Sequence, residues 1–354
     1  MFDGPGRVSV EELELEAPRS REVLVRLGAS GVCHSDLHVV DGEWPRPTPV
    51  VMGHEGAGVI EAVGAGVAGV SVGDHVVLSW FYACGRCGHC LAGRAWACSG
   101  TRAGQCVMDD GTTRFRRPAT GEDVFTYLAV GSMAERSVVP AAAAIPVPRE
   151  VPWEVAALIG CAVTTGVGAV WNTAHVEPGA SVVVLGCGGV GLSVVMGAAL
   201  AGAHPIVAVD VSEEKLALAE EVGATHAVRS ADEARAYVPA GADYAFEAIG
   251  LVDTVEAVPS LLRSGGVGVL VGLTAAGVRA SFDVYSFVDA GKTLVGSIYG
   301  GAVPALDFPR IASLYLAGFL PLDRLVSHRI GLDGVDEAFA AMRRRERARS
   351  VVVF

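Results

Sequence analysis

The distribution of apolar and polar residues divides the chain into two differently patterned regions. Up to about residue 160, short valine-rich runs such as 22–27 and 73–78 are separated by glycine, proline and other turn residues. This pattern is typical of a compact all-β barrel. From about 163 to 298, apolar runs alternate with helical stretches, which predicts a parallel, doubly wound sheet. We therefore expect an α/β protein of two domains, with a last apolar run at 350–354 returning as a strand to the first.

The second region gives the clearest predicted elements. We expect strands at 181–185, 206–210, 242–249 and 266–273, and a helix at 213–222. Residues 181–209 carry no formally charged side chain, a run long enough to suggest a membrane span. Its many glycines and Pro205 instead favour a strand, a glycine turn, a helix and a second strand, all buried in a parallel sheet.

The composition limits the classes of partner. The chain has 354 residues and a formal net charge of -12, whereas nucleic acid and anionic membrane surfaces both attract clustered positive charge. We therefore expect neither as a partner. No secretory leader pattern is evident at the start of the sequence, so we expect a soluble, cytoplasmic protein.

A cluster of cysteines marks a lobe at about 84–98 in the first region. Cys84, Cys87, Cys90 and Cys98 follow the pattern C-x2-C-x2-C-x7-C, and each two-residue gap forms a tight loop that turns both sulfurs inward. The alternatives are disulfides, which a reducing compartment disfavours, or free surface thiols, which would be a liability in such a compartment. We predict one tetrahedral zinc ion here. Because four sulfurs leave no open position, this zinc is structural and the chemistry must lie elsewhere.

A glycine-rich turn follows the predicted strand at 181–185. Residues 186–191 fit G-x-G-x-x-G, a helix is predicted after them, and Asp210 ends the next strand. Such glycines let the backbone approach a pyrophosphate at a helix N-terminus. Asp210 would accept hydrogen bonds from the adenosine ribose hydroxyls and repel a 2′-phosphate, so we predict NAD rather than NADP. The alternative is a packing turn without a ligand. The cofactor-binding residues predicted here are Gly186, Gly188, Gly189, Val190, Gly191 and Asp210.

Three further candidate metal ligands are scattered along the sequence. Cys33 begins a Cys-His-Ser-Asp run, His54 lies in a Gly-His-Glu run, and Cys161 follows a glycine. Spacing alone does not join them, and each by itself also fits a buried thiol or a core histidine.

The chain resembles the zinc-dependent medium-chain alcohol dehydrogenases over essentially its whole length. The run Gly-His-Glu-Gly-Ala-Gly at 53–58, followed by Gly64, matches the metal-site signature of that family, and the cysteine lobe and glycine turn agree with it. The resemblance implies a GroES-like catalytic domain at 1–162, a Rossmann NAD-binding domain at 163–298 and a C-terminal return at 299–354. It also implies an oxidoreductase with NAD and two zinc ions per chain.

The resemblance assigns roles to the scattered ligands and their neighbours. Cys33, His54 and Cys161 would hold a catalytic zinc with a fourth position left for water or alcohol. Asp36 would orient the zinc-bound histidine. Glu55 would approach the metal when ligands exchange, and the alternative for it is a structural carboxylate in a buried hydrogen-bond network.

The resemblance also implies a proton relay and a set of cofactor contacts. Ser35 would take the proton from the alcohol, and His38 would pass it outward through the cofactor ribose. His34 and Arg349 would face the cofactor pyrophosphate. The remaining expected cofactor-binding residues are Thr165, Lys215, Val271, Ser297 and Tyr299.

Two tryptophans are expected to line the substrate pocket. Trp44 and Trp80 fall where the family lines its alcohol channel, and two indoles would narrow that channel in favour of primary alcohols, including aromatic or allylic ones. The long segment 101–132 resembles the longer family members, which are often dimers. We therefore expect a homodimer, with a tetramer as the alternative.

Three hypotheses for the function follow. The leading one is the reversible oxidation of a primary alcohol to its aldehyde with NAD and zinc. The second is a thiol-adduct-dependent formaldehyde dehydrogenase, which shares every metal and cofactor residue but needs a polar or basic pocket, of which the run 43–46 gives little sign. The third is a non-catalytic sensor that binds zinc and a nucleotide. Ser35 and His38 argue against it, because a sensor needs no proton relay.

Overall fold

The computed structural model describes residues 1–4, 6, 8–344, 346 and 349–354. The chain forms two compact units. The first consists of Met1–Cys161, Val303–Ala317 and Val326–Phe354, and the second of Ala162–Ala302 and Gly318–Leu325. The expected division at 298/299 does not anticipate the short segment Gly318–Leu325, which belongs to the second unit.

The elements follow the pattern expected from the sequence, with short strands before residue 150 and alternating strands and helices after residue 180. The strands are β1 (Glu14–Leu15), β2 (Glu22–Gly31), β3 (Val50–Val51), β4 (Glu55–Val63), β5 (His75–Leu78), β6 (Phe115–Arg116), β7 (Asp123–Thr126), β8 (Arg136–Pro140), β9 (Ala144–Pro146), β10 (Val182–Leu185), β11 (Ile206–Val209), β12 (His226–Val228), β13 (Ala242–Glu247), β14 (Leu262–Leu270), β15 (Thr293–Gly296), β16 (His328–Ile330) and β17 (Ser350–Val353). The α-helices are α1 (His34–Val40), α2 (Gly88–Leu91), α3 (Trp153–Leu158), α4 (Thr164–Gly168), α5 (Gly189–Leu200), α6 (Glu213–Glu221), α7 (Ala231–Ala234), α8 (Val252–Leu261), α9 (Val284–Asp289), α10 (Pro304–Leu316) and α11 (Val335–Arg343).

The first unit is organised around β2. This strand pairs antiparallel with β4, β8 and β17 within a sheet of order β16-β17-β2-β4-β5-β9. Val23, Val25 and Leu27 alternate into the core and are at most 1% exposed. The register sets Gly31 opposite Glu55, so the end of β2 and the start of β4 meet. The candidate ligands Cys33 and His54 lie just beyond these two strand ends.

The second unit contains the predicted parallel sheet. Its strand order is β12-β11-β10-β13-β14-β15, and every neighbouring pair is parallel. The order reverses between β10 and β13, and ligands of such sheets bind at the carboxyl ends of the strands next to this reversal. The glycine turn at 186–191 directly follows β10, so the sheet places it at that position.

One predicted strand starts at the wrong residue. The run expected at 266–273 begins earlier, at Leu262, which pairs with Ala242 before a register shift. Ser264, Gly265 and Gly266 interrupt the apolar pattern there, so the sequence shows only the later part of the strand.

Two apolar stretches pass simple tests for a membrane span. Residues 181–209 form β10, α5 and β11, which confirms the strand, turn, helix and strand predicted there. The helical stretch Trp153–Ala174 has a mean hydropathy of 1.5 over its most apolar window, and 89% of that window is buried inside the protein. Burial of this extent is typical of a core helix.

Candidate metal and cofactor sites

The four cysteines of the predicted lobe come together around α2. Their sulfurs lie within 4.8 Å of one another, and all eight cysteines of the chain are free thiols rather than disulfides. Backbone N–H groups of Cys90 and Ser99 lower the pKa of Cys87 to about 5, and thiolates are the form that binds metal. The arrangement fits one tetrahedral ion held by sulfur alone.

A second group of candidate ligands lies in the interior of the first unit. Ligand atoms of Cys33, His54, Glu55 and Cys161 all lie within 4.8 Å of one another, and all four residues are buried. Ligands of a tetrahedral zinc ion with bonds of 2.0–2.3 Å lie roughly 3.3–3.8 Å apart, so the group has the right size. The structure therefore joins the three residues that spacing alone leaves unconnected.

Asp36 holds two of these ligand segments together. This carboxylate is 0% exposed and accepts hydrogen bonds from the backbone N–H of Cys33 at 3.3 Å, from that of Gly53 at 3.1 Å and from His54 Nδ1 at 3.2 Å. Gly53 has a φ of +91°, and a Cβ there would lie 2.6 Å from the backbone nitrogen of Met133. Any other residue before His54 would therefore strain the backbone or collide with Met133.

The electrostatics of the group favour a central cation. A hydrogen bond from Cys161 is the largest cause that lowers the pKa of Cys33 well below its usual value. Burial opposes protonation of His54, yet Asp36 and Cys33 raise its pKa well above the ordinary range. The group thus stabilises a thiolate beside positive charge, and a metal ion can replace that positive charge.

Glu55 is paired with Arg349 behind the ligands. Arg349 Nη2 donates to Glu55 Oε1, and Glu55 Oε2 has no hydrogen-bond partner among the described residues. Burial raises the pKa of Glu55 to about 8, against the opposing effect of Arg349. A Cβ on Gly31 would lie 2.0 Å from Glu55 Oε2. Arg349, which is expected to face a pyrophosphate, is 6% exposed and contacts this carboxylate.

Aromatic rings enclose His54. The ring centroids of Tyr127 and Trp80 lie 5.6 Å and 6.4 Å from that of His54, both edge-on. The Tyr127 hydroxyl donates to the Ser35 carbonyl at 3.3 Å, which fixes the backbone beside the half-buried Ser35 side chain. Trp80 therefore lies beside the ligand group.

His38 lies on α1 with two close partners. Its Nδ1 is 2.5 Å from Glu43 Oε2, and its ring stacks on Trp44 with centroids 4.4 Å apart. Trp44 also packs against the core cluster that contains Leu37. His38 covers one face of the indole. His34, at the start of the same helix, is exposed.

The glycine turn of the second unit has the shape of a phosphate cradle. Gly186 has a φ of +95°, and a Cβ on Gly191 would lie 1.7 Å from the Gly186 carbonyl oxygen. A Cβ on Gly188 would meet nothing within 4 Å, so open space lies in front of the backbone there. Gly188 is also the N-cap of α5. Close packing on one side and space on the other are what a pyrophosphate at a helix N-terminus requires.

Asp210 lies beside this turn. Its carboxylate accepts from the backbone N–H of Cys187 at 2.8 Å and from that of Ser212 at 2.9 Å, which fixes its position relative to the glycines. Burial and the Asp210 charge raise the pKa of the Cys187 thiol to about 12, which disfavours its thiolate form. Lys215 is half-buried on α6.

The other expected cofactor residues also lie in the second unit. Ser297 and Thr173 share a hydrogen bond of 2.8 Å between their hydroxyls, and Tyr299 is buried with a φ of +52°. Thr165 is half-buried on α4. Val271 donates its N–H to the carbonyl of Glu247 at 2.9 Å.

Glu247 is a residue that the sequence analysis missed. Its Oε1 accepts from the N–H groups of Ile249 and Gly250 and from Thr254 Oγ1, and a Cβ on Gly272 would lie 2.5 Å from its Oε2. It thereby joins the loops after β13 and β14. The sequence did contain a signal for it: Glu247 is an acidic residue near the end of a predicted strand of a parallel sheet, where ligand-binding loops begin.

Glu43 is the second residue that was missed. It was considered only as part of the run 43–46, and no spacing rule links it to His38. The available signal was an acidic residue in the turn that ends α1.

Two family profiles match the chain. The alcohol dehydrogenase GroES-like domain matches residues 19–149, and the zinc-binding dehydrogenase domain matches residues 189–316. Together with the parallel sheet of the second unit, these matches confirm the expected fold class.

Individual proteins agree with the profiles. The chain is 36% identical to S-(hydroxymethyl)glutathione dehydrogenase of Paracoccus denitrificans, over 98% of this chain and 96% of that protein. Its fold is similar to an alcohol dehydrogenase zinc-binding domain protein of Burkholderia ambifaria (39% identity, TM-score 0.95, 100% of this chain and 97% of the other). It is also similar to benzyl alcohol dehydrogenase of Acinetobacter calcoaceticus (32% identity, TM-score 0.90, 100% of this chain and 97% of the other). The chain therefore belongs to the zinc-dependent medium-chain alcohol dehydrogenase family.

Proposed function

We propose that this protein oxidises a primary alcohol to its aldehyde, reversibly, with NAD as the hydride acceptor and a zinc ion held by Cys33, His54 and Cys161. The observation that carries the proposal is the buried ligand group of the first unit, with ligand atoms within 4.8 Å of one another. A second zinc ion would be held by the four-cysteine lobe and would be structural, because its ligand set leaves no open position.

The residues of both units fit these groups. Two thiolates and one imidazole leave a zinc ion with a fourth, open position, and Asp36 on His54 Nδ1 leaves Nε2 as the nitrogen that presents a lone pair. In the second unit, the space in front of Gly188 and the N-terminus of α5 suit a pyrophosphate. Asp210 suits the two hydroxyls of an adenosine ribose.

Each residue then has a chemical task. When bound, the zinc ion would supply a Lewis acid for the alcohol oxygen, and NAD would supply the hydride acceptor. Ser35 accepts the hydroxyl proton, and His38 passes it toward solvent, since one ring nitrogen of an imidazole can accept a proton while the other donates one. Glu55 and Arg349 form a buried ion pair beside the ligands that keeps the arginine charge close to the two thiolates.

Two relatives suggest different substrates. The benzyl alcohol dehydrogenase relative and the aromatic rings of Trp80 and Tyr127 beside His54 favour a flat aromatic or allylic primary alcohol. The S-(hydroxymethyl)glutathione dehydrogenase relative, at 36% identity, favours a thiol adduct of formaldehyde as the second candidate. That substrate carries carboxylates, which require cationic partners.

A substrate panel tests the proposal. Purified, zinc-loaded protein is assayed for NADH formation with ethanol, longer straight-chain, benzylic and allylic alcohols, a secondary alcohol, and S-(hydroxymethyl)glutathione. We expect the highest kcat/KM with benzylic or allylic primary alcohols and little turnover of the secondary alcohol, because a second branch clashes with rigid rings. Turnover of the glutathione adduct alone would support the second candidate, and no turnover of any substrate would contradict both.

Changing Cys161→Ala tests the catalytic metal site. We expect the zinc content to fall from two ions to one per chain and turnover to fall below detection, because several kcal/mol of transition-state stabilisation come from the metal. Elemental analysis and the NADH assay measure both, and binding of NADH, followed by its fluorescence, should persist. The matched control is Cys106→Ala, a buried free thiol outside both ligand groups, which should retain both zinc ions and turnover. Full activity of Cys161→Ala would remove this cysteine from the site.

Changing Asp210 tests the choice of cofactor. A relative from Sinorhizobium meliloti with 26% identity was solved with NADP bound, so membership of the superfamily does not decide the choice. We expect Asp210→Gly to raise the ratio of kcat/KM for NADP to that for NAD by about 10- to 100-fold, since one charged hydrogen bond and one repulsion are removed. Asp210→Asn keeps an acceptor for the Cys187 N–H and should isolate the effect of charge. An unchanged ratio in both variants would refute the ribose assignment.

We also propose that the protein is cytoplasmic, because its eight cysteines are free thiols and thiols stay reduced in that compartment.

We further propose that two copies of the chain associate through the free edge of the sheet in the second unit. Strand β15 ends the sheet, and an exposed edge is suited to pairing with another copy. On α9 next to it along the chain, Val284, Tyr285 and Val288 are 64%, 78% and 70% exposed. Neighbouring apolar side chains with this exposure are typical of an interaction surface.

Light scattering after size-exclusion chromatography tests the dimer. The wild type should have the mass of two chains, and Val288→Glu should shift it toward one chain, because a charge would be buried without a partner. Leu306→Glu is the matched control, since Leu306 on α10 is also 70% exposed but lies in the other unit. A wild-type mass of one chain would contradict the proposal.

A further inference from the structure

In the pair formed by His38 and Glu43, only the histidine has a role so far. Its Nδ1···Oε2 distance is 2.5 Å, and the two side chains are 22% and 44% exposed. The turn that follows α1 makes the contact possible, because the N–H groups of Glu43 and Trp44 both donate to the His38 carbonyl, at 2.9 Å and 3.1 Å. The backbone thus folds the glutamate back over the histidine that precedes it by five residues.

This contact determines which ring nitrogen of His38 carries a proton. An ionised carboxylate only accepts hydrogen bonds, so Nδ1 must donate to it. In a neutral imidazole, the other nitrogen then has the lone pair. His38 is therefore held with a proton on Nδ1 and with Nε2 able to accept one. Stacking on Trp44 at 4.4 Å, with 23° between the rings, restricts rotation of the same ring.

We propose that Glu43 is a positioning residue for the proton relay: it keeps His38 in the Nδ1–H tautomer and receives the proton that leaves the relay. The proposal rests on the proposed function, in which His38 conducts a proton. When Nε2 gains a proton, the Nδ1 proton passes to the Glu43 carboxylate or to water beside it, which leaves a neutral ring with its proton on Nε2. Uptake of a proton from water at Nδ1 and release of one to water from Nε2 then restore the Nδ1–H form, so that one proton in total reaches solvent. The solvent-exposed side of the carboxylate then releases the proton to bulk water.

The alternative is an ordinary surface ion pair. Such pairs contribute little to stability, and a melting temperature would therefore not separate the two roles. The protonation of the His38 ring does separate them, because an ion pair needs both ring nitrogens protonated, whereas the relay needs a lone pair on Nε2.

The first measurement is the tautomer of His38 in the zinc-loaded protein without substrate. Protein labelled with 15N in its histidine rings is examined by long-range 1H–15N NMR, and His38→Gln assigns the signal. We expect the Nδ1–H form in the wild type and a mixture of tautomers in Glu43→Ala. The matched control is Asp41→Asn, which removes one charge from the same turn but pairs with Arg343 rather than with His38, and it should leave the signal unchanged. An Nε2–H form in the wild type, or an unchanged signal in Glu43→Ala, would overturn the proposal.

The second measurement is a double-mutant cycle on turnover. We expect Glu43→Ala to lower kcat by about 10- to 100-fold, as removal of an orienting partner typically does, with the KM for NAD unchanged. The double variant with His38→Gln should be no slower than His38→Gln alone, because Glu43 acts only through the histidine. Additive losses would overturn the coupling. If no alcohol is oxidised at all, the proposed function fails, whereas the NMR result still decides the tautomer.

Discussion

The buried carboxylate of Asp36 is the constraint on which the candidate metal site depends. A carboxylate that is 0% exposed costs free energy unless its oxygens accept hydrogen bonds. Here the donors are the backbone N–H groups of Cys33 and Gly53 and the imidazole of His54. Satisfying this one group therefore fixes the relative position of Cys33 and His54. The register of β2 against β4 brings the two segments close enough for this to happen.

The parts of the structure that could be predicted from sequence are those encoded by neighbouring residues. The four-cysteine lobe and the turn at 186–191 each lie within one short segment, so spacing alone indicates both. The group of Cys33, His54 and Cys161 depends on strand register and on a helix far along the chain, and only the family resemblance connected it. Arg349 is a second case, because nothing in its sequence position predicts the buried contact that it makes with Glu55.

In the second unit, as at Asp36, carboxylates fix loops by accepting hydrogen bonds from backbone N–H groups. Asp210 fixes the glycine turn through the Cys187 N–H, and Glu247 fixes the loop after its own strand through the N–H groups of Ile249 and Gly250. In both cases a charged group at the carboxyl edge of the sheet satisfies backbone donors that the irregular loops leave unpaired. Alternating apolar patterns identify the strands, but they contain no information about which side chain satisfies these loop donors.

Two histidines of the first unit carry a carboxylate on the same ring nitrogen, and their burial decides what each can do. Asp36 on His54 and Glu43 on His38 both leave Nε2 with the lone pair. His54 is 1% exposed and belongs to the buried group of ligand atoms, which suits a fixed ligand of a metal ion. The His38 side chain is 22% exposed, and its partner reaches solvent, so a proton gained on one nitrogen can leave from the other. The same hydrogen-bonded pair thus suits a fixed ligand in the interior and a proton conductor near the surface.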